Sequence, residues 1–280
     1  MAYLDYTIFW FILVNMKISD IKKLKDKDLV VFDLDGTLIH TKSPMDSEMS
    51  QLLVRLLAIK KVAIIGGGKY SIFQELFLRK LKCPKNLLEK LALFPVTGTA
   101  FYKYSNGWKQ VYSLRLTASE VAKIRKAFED TFKEMGYEHP KKTYGELIEN
   151  RESQVSFSVF GQDIVRVLGH KGVEMKARWS KTNSKTKMKI AKLMAKKLPN
   201  LEVKAAGFTT IDVTKKGIDK AYGIQQMQKY LKVPISKMFF VGDAMFKGGN
   251  DHAVVKTGVD FMATNGPEET KKIISKILNI

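Results

Sequence analysis

Cysteine is almost absent from this 280-residue chain, which contains only Cys83. A single thiol excludes an intramolecular disulfide framework and a zinc site built from several cysteines, and it fits a reducing compartment. Histidine is also scarce, because the chain has only 4 histidines and they are dispersed. Neither residue type therefore predicts a zinc centre.

Apolar runs long enough to cross a membrane are missing as well. The run at residues 6–14 is too short, since a span takes roughly 20 residues. No basic segment precedes it and no small-residue cleavage site follows it, so it does not predict a secretory signal. Three interpretations stay open: a helix packed on the body of the protein, an interfacial membrane anchor, or an upstream extension with the true start at Met16. We expect residues 1–27 to form an N-terminal extension and the protein to be cytoplasmic.

Acidic residues are few relative to basic ones. The chain has 48 Lys and Arg against 28 Asp and Glu, which gives a formal charge of +20 at pH 7. Such a charge attracts phosphorylated metabolites, nucleic acid or an acidic membrane surface, and it does not choose among them. It also fits a surface that is simply solvated by lysine.

Basic residues crowd the segment 171–197, which contains Glu174 as its single acid. We interpret the segment as a solvated helix face, with steering of a phosphorylated substrate or a nucleic-acid surface as alternatives. Trp179 is the one aromatic residue there, which gives little support to a platform for stacking bases.

Short apolar runs rich in branched residues recur along the chain, and each stops at a polar or glycine-rich segment. They occupy residues 29–32, 62–65, 238–241 and 259–263. Runs of this kind are typical of buried parallel strands. Helical periodicity is found at residues 45–59, 70–81, 221–230 and 267–278. The alternation predicts an α/β fold with a Rossmann-like parallel sheet and helices on both faces.

The middle of the chain breaks this rhythm. A hairpin-like turn at residues 105–107 precedes a helix at 118–135, for which Thr117 and Glu120 form a capping box. A strand at 154–160 and a helix at 185–198 follow. We expect an inserted α+β cap domain at residues 98–206, and a core domain made of residues 28–97 and 207–280.

Carboxylates follow two of the predicted core strands. Asp33 and Asp35 come directly after the first run, and Asp243 follows the third. Ligands of open parallel sheets bind at the carboxyl ends of the strands, so these carboxylates are expected to share one site. An isolated Asp-Gly pair after a strand is usually a turn, but two such motifs after two strands favour a functional site.

Carboxylate oxygens of this kind suit Mg²⁺, which takes one or two carboxylates together with a substrate phosphate. One carboxylate can attack phosphorus while the other handles the proton of the leaving group. Gly36 permits a close backbone approach, and the Thr37 hydroxyl can orient the site or bind phosphate. The residues therefore favour magnesium-dependent phosphoryl transfer.

The motif VFDLDGTL at residues 31–38 resembles the first motif of the haloacid dehalogenase superfamily of phosphatases and phosphomutases. The segment IGGGKY at 65–70 is similar to its second motif, KGIDK at 216–220 to its third, and GDAMFKGGND at 242–251 to its fourth. An insert between the second and third motifs resembles the α/β-capped (IIB-type) branch. That branch includes sugar-phosphate phosphatases and eukaryote-type phosphomannomutases.

The resemblance implies roles for individual residues. Asp33 would be the nucleophile that forms an aspartyl-phosphate, and Asp35 would be the general acid and then the base. The carboxylates of Asp33 and Asp243 and the main-chain carbonyl of Asp35 would hold the metal. Lys220 would bind the transferring phosphoryl group, and Asp251 would support the metal shell or orient Lys220. The remaining implied contacts are to substrate or phosphate, from Thr37, Gly67, Gly68, Arg151 and Asn250.

Two departures of this sequence from the family's motifs bear on the choice between hydrolysis and isomerisation. The second motif normally supplies a hydroxyl to the phosphate, but residues 66–68 are all glycine, and Gln162 stands where the mutase pattern has an arginine. A mutase must hold a bisphosphorylated sugar in two orientations, for which forked guanidinium contacts matter. We therefore expect a phosphatase that acts on a small phosphorylated metabolite, in particular a sugar phosphate. A phosphomannomutase-type mutase is the alternative.

A rival interpretation from another class is a basic nucleic-acid-binding protein with a degenerate enzyme fold. The intact set Asp33, Asp35, Lys220 and Asp243 argues against degeneracy. A homodimer and contact of the N-terminal apolar run with a membrane surface are left open.

Overall fold

The computed structural model describes residues 24–279. Most of the predicted N-terminal extension, including the apolar run and Met16, lies outside the described residues. Within the described part, no helix combines the length and the apolar character that crossing a bilayer requires. The chain divides into two compact units, a core unit made of the chain up to Tyr112 together with the chain from Asp219, and a cap unit, Ser113–Ile218.

The strands of the described residues are numbered in chain order. They are β1 (Leu29–Asp33), β2 (Lys61–Ile65), β3 (Leu91–Phe94), β4 (Ala100–Tyr104), β5 (Trp108–Ser113), β6 (Ile148–Asn150), β7 (Gln154–Ser158), β8 (Leu201–Ala206), β9 (Thr210–Lys215), β10 (Met238–Gly242) and β11 (Asp260–Ala263).

The helices are numbered in the same way. The α-helices are α1 (Ser47–Ile59), α2 (Tyr70–Ile72), α3 (Lys85–Leu88), α4 (Ala118–Met135), α5 (Ile164–Leu168), α6 (His170–Lys197), α7 (Lys220–Leu231) and α8 (Pro267–Leu278). A π-helical segment, Phe73–Leu78, continues α2, and two 3₁₀ segments occupy Ile235–Lys237 and His252–Thr257.

The core unit is built on one mixed sheet in the order β11-β10-β1-β2-β3-β4-β5. The strands from β11 to β3 are parallel, and β4 is antiparallel to β3. One apolar cluster on the sheet includes α1 and α8 side chains, and a second includes α7 side chains such as Ile224 and Met227. The predicted α/β fold with a Rossmann-like sheet is confirmed.

Strand β1 lies in the middle of the parallel part of the sheet. The chain continues from β1 to β2 on one side, and β10 pairs with β1 on the other side. The strand order therefore reverses at β1, and a crevice at such a switch point is the usual ligand site of open α/β sheets. Asp33 is the last residue of β1.

The cap unit has a four-stranded antiparallel sheet in the order β6-β7-β9-β8. Its apolar cluster joins α4 and α6 to this sheet through residues such as Phe128, Ile190 and Phe157. Helix α4 has the predicted bounds and capping box: the Thr117 hydroxyl accepts from the Glu120 N–H at 3.1 Å, and Glu120 accepts from the Thr117 N–H at 2.7 Å.

The boundaries between the units differ from those expected at residues 98 and 206. The predicted hairpin around residues 105–107 forms β4 and β5, which extend the core sheet beyond β3. Strand β9, expected in the core, pairs with β7 and β8 in the cap sheet. Alternation in a sequence indicates a strand but does not identify the sheet that the strand joins. For this reason both boundaries expected from the sequence differ from the observed ones.

Candidate active site

The carboxyl edge of the core sheet collects the charged residues of three separate motifs. Asp33 ends β1 and is only 4% exposed. Lys220 opens α7 and is 1% exposed, and its ammonium donates to Oδ1 of Asp33 and to Oδ1 of Asp251. A buried ammonium between two carboxylates compensates charges that would each be costly to bury alone.

Local structure fixes the direction of Lys220. Asp219 caps α7 by accepting from the Tyr222 N–H at 3.1 Å, so Lys220 occupies the first turn of the helix. The second carboxylate oxygen of Asp251 accepts from the Ala244 N–H at 2.9 Å. Both oxygens of Asp251 are therefore engaged, one with the loop after β10 and one with Lys220. These contacts are compatible with either expected role of Asp251, supporting the metal shell or orienting Lys220, and both stay predictions.

Asp243 follows β10 and approaches the motif after β1 closely. Its Oδ1 accepts from the fully buried Thr37 hydroxyl at 3.3 Å. Gly36 has φ of +83°, and a Cβ atom at this position would lie 2.6 Å from Oδ2 of Asp243. Only glycine meets both the left-handed conformation and the close approach. The Asp-Gly-Thr sequence thus brings Asp243 against the loop that carries Asp35.

The Asp35 side chain bonds to the loop that follows the first motif. Its Oδ1 accepts from the backbone N–H of Lys42 at 2.8 Å, and the side chain is partly exposed. A carboxyl group that reaches solvent can exchange protons with water or a substrate. The position of the side chain is compatible with the expected proton carrier, and the expected metal contact of the main-chain carbonyl stays a prediction.

The donor set fits a hard divalent cation. Asp33, Asp243 and Asp251 each offer a carboxylate oxygen, and these oxygens lie within 4.8 Å of one another. All three are oxygen donors, which is the chemistry that Mg²⁺ prefers. Because Asp251 already bonds Lys220 and the Ala244 N–H, Asp33 and Asp243 are the members best placed to ligate the ion directly.

The electrostatics show the same convergence of negative charge. Burial raises the pKa of Asp33 well above its ordinary value, and Asp251 and Asp243 raise it further against the opposing effect of Lys220. Asp243 reaches solvent, but the surrounding protein desolvates it enough to raise its pKa, and Asp251 adds to that effect. Burial alone would lower the pKa of Lys220, yet Asp251 and Asp33 outweigh burial and raise it. A bound cation would relieve the repulsion that raises the two carboxyl pKa values.

The glycine run after β2 lies at the same sheet edge and is held by the turn after β3. The Gly66 carbonyl accepts from the Thr97 N–H at 2.8 Å, and the Gly68 carbonyl accepts from the Val96 N–H at 2.9 Å. Val96 and Thr97 have φ of +47° and +59°, which is rare for branched side chains. Sequence reasoning missed this strained turn, because nothing in residues 95–98 other than Gly98 favours left-handed backbone.

A cleft of about 520 Å³ opens beside Asp243. His40, Asn265, Glu269 and Lys272 line it together with Asp243. Asn265 and Lys272 were not predicted as site residues, because a single amide or lysine in so basic a chain carries no signal of its own.

Two of the expected substrate contacts belong to different units. Asn250 precedes Asp251 and is exposed. Arg151 belongs to the cap unit, where Nε donates to Glu149 at 2.7 Å and one terminal nitrogen donates to Gln162 at 2.8 Å. Gln162 in turn donates to the Ser156 carbonyl at 2.9 Å. Glu149 and Gln162 therefore fix the Arg151 guanidinium within the cap.

The fold and the charge cluster agree with the family assignment. Residues 30–279 match the family model of the haloacid dehalogenase-like hydrolases. The chain belongs to this family, and the predicted resemblance to the superfamily is confirmed.

Relatives within the family include phosphomannomutases. The chain is 26% identical over 255 residues to a phosphomannomutase of Encephalitozoon cuniculi, which covers 90% of this chain and 94% of the relative. It is 23% identical over 235 residues to human phosphomannomutase 1, covering 82% of this chain and 84% of the relative. These sequence relatives agree with the predicted likeness to the α/β-capped branch.

Solved structures with the same fold include phosphatases. The IMP-bound, N-terminally truncated IMP-nucleotidase of Plasmodium falciparum aligns with a TM-score of 0.64 and 17% identity, covering 94% of this chain and 71% of that chain. Trehalose-6-phosphate phosphatase of Aspergillus fumigatus aligns with a TM-score of 0.54 and 17% identity, covering 95% of this chain and 98% of that chain. At these identities the likeness is one of fold.

Proposed function

We propose that the protein is a magnesium-dependent phosphatase of a small phosphorylated metabolite, in particular a sugar phosphate. The observation that carries the proposal is the buried Asp33–Lys220–Asp251 cluster beside Asp243 at the switch point of the sheet. Bound Mg²⁺ would neutralise phosphate charge at Asp33 and Asp243. Such preorganised charges are the main source of rate enhancement in phosphoryl transfer.

The first half-reaction forms a covalent intermediate on Asp33. A carboxylate oxygen of Asp33 attacks phosphorus of the monoester, and the bond between phosphorus and the ester oxygen breaks. Asp35, in its protonated form, donates a proton to the departing alkoxide. Lys220 stabilises the negative charge on the transferring group. The products of this step are the free alcohol and an aspartyl-phosphate.

The second half-reaction restores the enzyme. Asp35, now a carboxylate, takes a proton from water as the water oxygen attacks the phosphorus of the aspartyl-phosphate. The bond between phosphorus and the Asp33 oxygen breaks, which releases inorganic phosphate. Asp33 is again a carboxylate and Asp35 again carries its proton.

A second candidate is a phosphosugar mutase, in which a sugar hydroxyl replaces water as acceptor. It is favoured by the sequence relatives named phosphomannomutase, which cover 90% of this chain in the Encephalitozoon case. Against it, Gln162 occupies the position expected for an arginine, and it accepts a bond from Arg151 rather than adding a second guanidinium. We therefore place hydrolysis first.

The test is a screen of sugar phosphates with Mg²⁺ in which inorganic phosphate and isomer formation are measured separately. Phosphate release that EDTA abolishes supports hydrolysis, and isomer formation that depends on added sugar bisphosphate supports the mutase. An Asp243→Asn variant is expected to need about tenfold more Mg²⁺ for half-maximal rate, because a carboxylate ligand is lost. An unchanged magnesium response would remove Asp243 from the ligand set. Asp26→Asn, an exposed carboxylate in the same unit, is the control.

A further inference from the structure

A second cleft lies wholly within the cap unit. It has a volume of about 680 Å³ and is bounded by residues 135–141, at and after the end of α4, and by the middle of α6. None of its lining residues belongs to the core unit. Sites for small molecules commonly have volumes of roughly 300–1,000 Å³, so the cleft has room for one ligand of moderate size.

Three aromatic rings line the cleft, and two of them pack against Phe132. Trp179 on α6 is partly buried and packs against the apolar cluster of the cap. Tyr137 and His139 line the cleft with ring centroids 5.1 Å apart in an edge-to-face arrangement. Phe132 lies 4.9 Å from the His139 ring and 5.2 Å from the Tyr137 ring, which fixes both rings from behind. Rigid rings of this kind offer stacking surface at little entropic cost.

Basic residues line the cleft together with these rings. Lys141, Lys185 and Lys189 line it, and Glu138 is the acid among the lining residues. These three lysines form no salt bridge within residues 24–279. By contrast, Arg178 and Lys197 on the same helix pair with Glu174 and Glu134, at 3.7 and 2.8 Å. The three lysines are therefore not ion-paired within the described residues, and they outnumber the one acid that lines the cleft.

The backbone of α6 is interrupted at this place. Asn183 has φ of −119° and ψ of +16°, outside the helical range, and its amide nitrogen donates to the Trp179 carbonyl at 3.1 Å. Irregular turns inside long helices are frequent at functional sites.

The Tyr137 hydroxyl is buried and has no hydrogen-bond partner among the described residues, although such groups are normally paired.

We propose that this cap cleft binds a nucleotide, with the base stacked on Trp179 and the phosphates held by Lys141, Lys185 and Lys189. Aromatic side chains stack on any base through its π-face, and ammonium groups bind phosphate as point charges. The cleft is lined by one indole side chain and a single group of lysines, which fits one nucleotide rather than a run of stacked nucleotides. The proposal does not depend on the reaction catalysed at Asp33.

The test is isothermal titration of the full chain with ATP in EDTA, a condition in which magnesium-dependent turnover is blocked. Trp179→Ala and the double variant Lys185→Ala/Lys189→Ala are each expected to weaken ATP binding by about tenfold or more, because each removes one half of the site. The matched control is Lys181→Ala/Lys192→Ala, which removes the same charge from α6 outside the cleft. The control is expected to retain ATP affinity within about twofold, since its lysines do not line the cleft and exposed charges outside it are screened by salt.

Two further arms identify the ligand class. Tripolyphosphate is expected to bind more weakly than ATP, because it cannot stack, and Trp179→Phe is expected to keep most of the ATP affinity. The lysine double variant keeps the test decisive if Trp179→Ala does not fold. Unchanged ATP affinity in Trp179→Ala or in Lys185→Ala/Lys189→Ala, equal binding of tripolyphosphate and ATP, or much tighter binding of single-stranded RNA than of ATP would each overturn the proposal.

Discussion

The charged groups compared here differ in burial between the core unit and the cap unit. In the core, Asp33, Asp251 and Lys220 are almost fully removed from water and bond to one another. In the cap, most of the lysines of α6 are exposed, and its ion pairs involve groups that reach solvent. Buried charges are costly, and they persist where a function uses them. Under the two proposals, the core unit would carry out the chemistry and the cap cleft would bind a nucleotide.

The largest effect is expected from Asp33→Asn, which replaces the attacking oxygen by an amide and leaves the shape of the side chain unchanged. We expect phosphate release to fall by about four orders of magnitude or more, the size seen when a nucleophile is removed. The measurement is the steady-state rate with Mg²⁺ on the best substrate of the sugar-phosphate screen. Asp28→Asn, an exposed aspartate beside the same strand, is the control and should keep the wild-type rate. Retention of most activity in Asp33→Asn would contradict the assignment of the chemistry to the core unit.

The second effect concerns stability. Lys220→Met removes the cation between Asp33 and Asp251 and leaves two carboxylates buried without a counter-charge. We expect the free energy of unfolding in urea to fall by about 3–5 kcal/mol at neutral pH, as for other broken buried pairs.

Lys256→Met is the control for that measurement, because Lys256 pairs with Asp219 at 2.5 Å but is 63% exposed. Exposed pairs contribute about 0–1 kcal/mol, so the control should change stability little. Equal losses of unfolding free energy in the two variants would show that the buried ion pairs of Lys220 stabilise the fold no more than an exposed pair does.

A smaller effect is expected from Arg151→Gln in the cap. If the cap contributes binding and the core contributes chemistry, KM should rise by about tenfold with kcat nearly unchanged, the pattern of lost uniform binding. Arg115→Gln is the control, since Arg115 is 61% exposed and belongs to the same unit. A large fall in kcat with constant KM would contradict the division between the units.

The smallest effect is expected from Thr117→Ala at the start of α4. The substitution removes the side-chain acceptor of the capping box. We expect the free energy of unfolding to fall by about 1 kcal/mol, with no change in catalysis. Thermal unfolding together with the steady-state rate measures both quantities. A loss of activity at unchanged stability would connect this cap helix to the chemistry.

Much of the core could be predicted from the sequence, because its signals are local. The apolar runs at 29–32, 62–65 and 238–241 became β1, β2 and β10 with at most one residue added at an end. The last helix, Pro267–Leu278, has the predicted bounds, since Pro267 marks its first position. The motif aspartates follow these strands, so their convergence at one sheet edge was predictable.

Other features depend on tertiary context. Helix α6 begins at His170 rather than at 185, because its first part has few apolar residues and is held by packing. The predicted helix 70–81 becomes π-helical at Phe73–Leu78. The left-handed Val96 and Thr97 are held by bonds to the glycine run, which lies far from them in sequence. Long-range contacts of this kind leave no periodic signal.

The most direct test of the central claim is the capture of the covalent intermediate. The wild-type protein is mixed with Mg²⁺ and the best phosphorylated substrate, quenched in acid, and its intact mass is measured, followed by peptide mapping. The account predicts an added phosphoryl group on the peptide that contains Asp33, and no adduct in Asp33→Asn. Substrate turnover in which the phosphoryl group is found on another residue, or persists in Asp33→Asn, would contradict it.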